Sequence, residues 1–363
     1  MTSPHRRSTG LAPIAALIGF LATAAAPASA GGPDFPAGDA LYHTYPEMVA
    51  DIHEVEAVRP DIVDVFSIGE SARGRDIWAA KISDNVATDE DEPEVLFDAL
   101  HHGNEHLTLE QALYLFHTLV DNYGVGSRVT RLVDNREIWI VFALNPDGAQ
   151  YDLGGDPYRG WRKNRQPHPT SDRVGTDLNR NYGFRWGCCG GSSGNPASRT
   201  FRGWEPFSAP ETRALADFVN SRVIDGQQQI RTHITLHTNG ELILWPWGFT
   251  RRNLAGPMTR ADRDVFVEMA HAMAETNGYG VMQSADWYIT DGDQIDWMYG
   301  RHRIFSFTLE LYPSEASGKN DDPPDEKIAR QTKRNRAALL YLIDLADCPY
   351  RATGTEAEHC GPD

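Results

Sequence analysis

The chain has 363 residues, of which 40% are hydrophobic and 23% charged, and it carries a net charge of −17. So acidic a surface disfavours nucleic acid and anionic membranes as partners and favours solubility. The length suits one large domain with a substantial buried core, or two small ones.

Residues 1–30 read as a signal peptide. Arg6 and Arg7 give a charged start, an Ala-rich apolar stretch runs from Leu11 to Ala25, and Ala28-Ser29-Ala30 supplies small residues for cleavage. That stretch is too short and too interrupted to stay in a bilayer, and no later run is long enough to span one. The protein is therefore expected to be secreted and extracellular, without a membrane anchor. The leader holds two arginines and no acid, so its removal leaves the rest more acidic still.

Apolar, β-branched runs then alternate with helix-period segments. Residues 62–68, 77–82 and 95–100 are expected strands, the last almost wholly apolar before His101 and His102. Residues 107–122 form a helix with Leu109, Leu113, Phe116 and Val120 on one face. Residues 138–144 are a buried strand. Ser208 and Glu211 have the spacing of a capping box that opens a helix through Val219. Residues 234–236 and 242–245 are strand-like, 265–276 helical, 304–311 a buried strand, and 327–347 one closing helix. Continuous apolar strands separated by helices imply an α/β fold, an α/β/α sandwich around a mixed, mostly parallel sheet. The expected division is residues 1–30 as leader, 31–347 as a single catalytic domain and 348–363 as a tail.

Two stretches lack periodicity, 151–175 and 183–206, and segments of that length in a compact domain are functional loops or disorder. Between 159 and 185 stand seven basic residues (Arg159, Arg162, Lys163, Arg165, Arg173, Arg180, Arg185) against Asp172 and Asp177. A cationic island in so acidic a chain suggests an anion site; surface arginines paired with nearby acids are the alternative. Four cysteines, Cys188, Cys189, Cys348 and Cys360, suggest disulfides in an exported protein and allow three pairings. Sequence neighbours rarely pair, so Cys188 and Cys189 are each expected to reach elsewhere.

His102 and Glu105, three apart where a buried strand gives way to a helix, offer two metal ligands from one turn. A third is expected at a distant strand end. His237 closes such a run, and His233, on the same face by the period of two, competes with it.

Several motifs occur together in order: residues 102–105, Asn145-Pro146-Asp147-Gly148, Trp161-Arg162-Lys163, Asp177-Leu178-Asn179-Arg180-Asn181, residues 237–248, Tyr288 with Ile295-Asp296-Trp297, and Phe307-Thr308-Leu309-Glu310-Leu311. This arrangement resembles the zinc carboxypeptidases of the carboxypeptidase A type, with bacterial carboxypeptidase T and actinobacterial enzymes most similar, and spans residues 42–347. The resemblance implies one catalytic zinc on His102, Glu105 and His237. It implies Glu310 as general base, Arg162 as the oxyanion's partner, and Asn179, Arg180 and Tyr288 as the grip on a terminal carboxylate. Peptide and protein C-termini would be the substrates, and a monomer is the family default. Ile295 matches a position that is apolar when aromatic or aliphatic residues are released, and Asp293 one that admits basic residues; helix capping is the other reading of Asp293. Asn104 stands where the pancreatic enzymes have arginine, as in the regulatory carboxypeptidases. Residues 89–92, with Asp84 and Glu94, offer clustered oxygens suited to calcium, which carboxypeptidase T-like enzymes carry there; a solvated acidic face is the alternative. The resemblance begins close behind the leader, which leaves no room for the activation domain many relatives have.

Overall fold

The computed structural model describes residues 33–156, 158–317 and 322–361, so the expected leader lies outside the described residues. Helix α1 (Tyr45–Val58) precedes strands β1 (Val63–Glu70), β2 (Asp76–Ile82) and β3 (Glu94–Asp98). Helix α2 (Leu107–Asn122), β4 (Glu137–Val141) and α3 (Pro210–Ser221) follow. The second half contributes β5 (Ile230–Gly240), β6 (Leu242–Trp245), α4 (Arg260–Asn277), β7 (Gly280–Gln283), α5 (Gln294–His302) and β8 (Phe305–Ser314). Two helices, α6 (Ile328–Arg334) and α7 (Arg336–Asp344), close the domain.

The strands form one eight-stranded sheet in the order β1-β2-β4-β3-β5-β8-β6-β7. Its centre is parallel, from β4 through β3 and β5 to β8, and β1, β2 and β6 pair antiparallel towards the two edges. Strand periodicity divides the core in two. Ala80, Ile82, Val95, Phe97, Ile138, Ile140, Ile234 and Leu236 face α1, α2, α4 and α7. Ile77, Ala79, Leu96, Trp139 and Val141 face α3 and α5. Burying side chains of this kind contributes about 1.5–3 kcal/mol each, and the α/β/α architecture follows from covering both faces. No helix among the described residues is long and apolar enough to cross a membrane.

Three local expectations are corrected. The capping box stands at the start of α1, where Glu47 accepts from the Thr44 amide at 2.9 Å. The Ser208 hydroxyl is bonded instead by Asn181 and the buried Glu211 carboxylate by Ala72 N and Asn164, so α3 opens on Ala209 and Pro210 without a box. The single closing helix is broken at Asn335, a buried amide that bonds Gln111 and Asn277 across the layer. The cysteines pair as Cys188–Cys189 and Cys348–Cys360, so neither neighbour reaches elsewhere. Cys360 comes back to Cys348 because the tail folds over itself, with Tyr350 stacked on His359. The first aperiodic stretch also contains a short hairpin, Pro167–His168 with Ser171–Val174.

Candidate metal centre and substrate cleft

The site gathers at the carboxyl ends of the central parallel strands, where open α/β sheets place ligands. After β3 the chain turns sharply at Leu100, with φ 57°, and delivers His101 and His102. Asp98, at the end of β3, anchors this turn: it accepts from Thr235 at 2.8 Å and lies 2.6 Å from His233 Nε2. The His233 ring is thereby committed to Asp98 and, at 2.7 Å, to Ser306. Of the two histidines on β5, only His237 reaches the metal-ligand cluster.

His102 Nδ1 lies 2.6 Å from one Glu105 oxygen, and His237 Nδ1 lies 2.9 Å from the other. The two Nδ1 atoms are 3.1 Å apart, and all three residues are buried. Two imidazole nitrogens aimed at each other beside a carboxylate leave a point that a cation satisfies better than protons do. Two imidazoles and a carboxylate are also the donor set of a catalytic zinc with one position left open. Burial pulls the His237 imidazole down to about 4 despite Glu105 beside it, which keeps it neutral as a ligand must be. Burial would raise Glu105, but His102 and His237 hold its carboxyl well below the ordinary range.

Close backbone packing fixes the turn. A Cβ on Gly103 would stand 2.4 Å from the Gly148 carbonyl carbon and 2.7 Å from the Trp161 oxygen, so only glycine fits. The Gly103 amide donates to Arg162 O, and Asn145 bonds both His101 O and Arg162 O. The metal turn and the Arg162 loop are thus tied through main-chain atoms.

The Arg162 guanidinium donates Nε to Asp177 at 3.0 Å and holds Nη1 3.9 Å from Glu105. The amide of Asn179 sits 3.3 Å from His237 Nε2, and its oxygen accepts from Gln294 N. Glu310 is the register partner of His237 on the neighbouring parallel strand. A cleft of about 210 Å³ is lined by His102, Glu105, His237, Arg162, Asn179, Tyr288 and Glu310, together with Asn104 and Arg199. Three expected site residues do not line it. Arg180 lies buried beside Asn179, with Nε donated to Gly191 O at 3.1 Å, and it contacts the Tyr288 phenol. Ile295 is buried in the first turn of α5. Asp293 caps that helix by accepting from Asp296 N at 2.9 Å, and it also takes the Thr290 hydroxyl.

The zinc carboxypeptidase family model matches residues 48–338. The chain belongs to the zinc carboxypeptidase family. A zinc carboxypeptidase of Saccharothrix mutabilis subsp. capreolus is 44% identical over 89% of this chain and 74% of its own length. Carboxypeptidase A1 of Rattus norvegicus is 31% identical over 84% of the chain and 70% of its own. The structure of carboxypeptidase A from Helicoverpa armigera superposes with a TM-score of 0.73 at 26% identity, over 87% of this chain and 75% of that one. The protein is accordingly a zinc metallocarboxypeptidase, and zinc is the ion its family uses.

Two features of the centre carry no role in the sequence reading. Asp177 joins Arg162 to His102, whose Nε2 is 3.2 Å from its other oxygen; its signal was its place in the Asp177–Asn181 motif. Trp287 lines the cleft beside Tyr288, and nothing in its spacing marks it. The acidic run is divided. Arg222 takes Asp89 and Glu94, whereas Asp84, Glu90 and Glu92 bring carboxylate oxygens within 4.8 Å of one another.

Proposed function

We propose that this family member releases single amino acids from peptide C-termini through the residues of this cleft, after export from the cell. The observation that carries the reading is the convergence of the His102–Glu105–His237 donor set, Glu310 and Arg162 on one cleft. Zinc, when bound by His102, Glu105 and His237, supplies Lewis acidity towards the scissile carbonyl and towards water. Asn179 and Tyr288 grip the terminal carboxylate from the cleft, with Arg180 buried beside Asn179 as the cation behind them; a planar arginine fork suits two carboxylate oxygens. Arg162 donates to the oxygen on which negative charge develops, and its pairing with Asp177 fixes its direction beforehand. Glu310 takes a proton from the attacking water and returns it to the departing amine.

Side-chain preference follows Ile295 and Asp293 at the first turn of α5. Both stand buried behind the cleft lining, and through its floor they are expected to favour aromatic and aliphatic residues and admit some basic ones. Asp84, Glu90 and Glu92 would hold a structural calcium ion. Residues 1–30 act as the export signal, 31–347 as the catalytic domain and 348–363 as its disulfide-closed tail, and the active form is a monomer.

The test is hydrolysis of N-blocked dipeptides ending in Phe, Leu or Arg, with and without a chelator, and with release ranked. Chelator-sensitive release of Phe and Leu above Arg is the expected result. A metal-loaded protein that cleaves none of them would leave a peptide-binding role instead.

A further inference from the structure

The carboxylate grip absorbs only part of the cationic island. Arg162, Lys163, Arg165, Arg173 and Arg199 line a separate groove of about 320 Å³, with Asp172 as its acid. That acid is exposed on the second strand of the hairpin, and its 3.9 Å pairing with the likewise exposed Arg173 is screened by water, so it neutralises little of the groove. Arg165 is the most telling member. It is 9% exposed, its Nε is buried without a hydrogen-bond partner, and it makes no ion pair among the described residues. Its guanidinium lies 3.5 Å from the Tyr151 ring centroid and 4.5 Å from that of Trp161, which holds it in place without neutralising it. Among the described residues the Lys163 ammonium donates to the Pro196 carbonyl, and burial pulls it down to about 8, with Asp177 opposing and Arg165 and Arg173 adding to the shift. Lys163 and Arg165 are buried side by side, while Arg173 and Arg199 stand exposed at the rim and Arg162 is paired with Asp177. The two buried cations therefore repel each other until an anion arrives.

The groove shares Arg162 and Arg199 with the catalytic cleft. A peptide whose terminal carboxylate is held at Asn179 and Arg180 has its scissile carbonyl beside Arg162. The shared Arg162 and Arg199 are the route by which its preceding residues would pass from cleft to groove. We infer that the groove is a second recognition site that selects peptides with acidic side chains shortly upstream of the scissile bond. This inference rests on the cleft being the peptidase centre.

The experiment compares two N-blocked peptides ending in the same Phe, one with two Glu residues two to four positions upstream and the other with Gln there. The expected preference in kcat/KM for the Glu peptide is about five- to tenfold at low ionic strength, collapsing towards unity in 0.5 M salt. Arg173→Gln is expected to cut the ratio about threefold, and Arg173→Glu to invert it. Equal kcat/KM for the two peptides in the unaltered protein overturns the inference. A blocked dipeptide too short to reach the groove is assayed alongside, so that its cleavage separates a failed groove from a failed peptidase centre. Should nothing be cleaved, anisotropy of the two labelled peptides still decides, since equal affinities overturn the groove whatever becomes of catalysis.

Discussion

Asp177 accepts a 3.0 Å hydrogen bond from Arg162 with a carboxylate that is wholly buried. Its other oxygen faces His102, so one side chain orients a proposed metal ligand and the proposed oxyanion partner together. Burial would raise this carboxyl, but Arg162 and His102 hold it well below the ordinary range. Asp177→Asn keeps the shape and removes the charge. Zinc affinity is expected to fall about 10–100-fold, as for other outer partners of ligating histidines. Competition with a chromophoric chelator measures it; an unchanged affinity would remove Asp177 from the metal centre.

Glu310 has a different signature, because it stands beside the ligand set without joining it. Glu310→Gln is expected to retain stoichiometric zinc and to lower kcat by about 10²–10⁴, the range of general acid–base catalysis. Metal analysis and steady-state rates on the same sample decide. A variant turning over near the wild-type rate would need another base.

Arg162 and Arg180 should separate kinetically. Arg162→Ala removes a donor aimed at the transition state, so kcat should drop about 10²–10³ with little change in KM. Arg180→Lys keeps the charge and loses the planar fork, so it should raise KM instead. It should also weaken discrimination against peptides whose terminal carboxylate is an amide. Equal effects on both constants in both variants would contradict the assignment.

The motifs and most strands were legible in the sequence because each carries a local signal. Residues 107–122 and 242–245 stand where apolar periodicity puts them. His102 and Glu105 share one turn, and His237 ends a readable apolar run. What escaped is tertiary. Ser208 and Glu211 have capping-box spacing, yet their side chains are claimed by Asn181, Ala72 and Asn164 from elsewhere in the chain. The break at Asn335 depends on Gln111, more than two hundred residues away. The strand-end position already favours His237 over His233 in the sequence; the physical reason that His233 stays out, its hold on Asp98 and Ser306, is tertiary.

Calcium at Asp84, Glu90 and Glu92 gives a prediction independent of catalysis. Three carboxylates this close repel one another unless a cation intervenes. Millimolar calcium should raise the melting temperature of the chelator-treated, zinc-reloaded protein, and Glu92→Gln should abolish most of that rise. Magnesium reproducing the full effect, or no rise at all, would mark the run as an ordinary acidic surface.

Glu211 sets a pH dependence away from the metal centre. It is fully buried, and burial outweighs the hydrogen bonds from Ala72 and Asn164, pushing its carboxyl up from the ordinary 4.5 to about 7. A raised folded value means that the folded chain binds more protons than the unfolded chain between those two pH values. Stability therefore falls as pH rises through that window and levels off above it. One such group contributes a slope of at most about 1.4 kcal/mol per pH unit. Glu92 and Glu94 are raised in the same direction, so the total slope does not isolate Glu211. The difference between wild type and Glu211→Gln does, because the amide cannot titrate. Urea unfolding from pH 4.5 to 7.5 should show the shallower decline in the variant. Parallel curves would mean that Glu211 ionises normally in the folded protein, and that the donors from Ala72 and Asn164 compensate its burial in full.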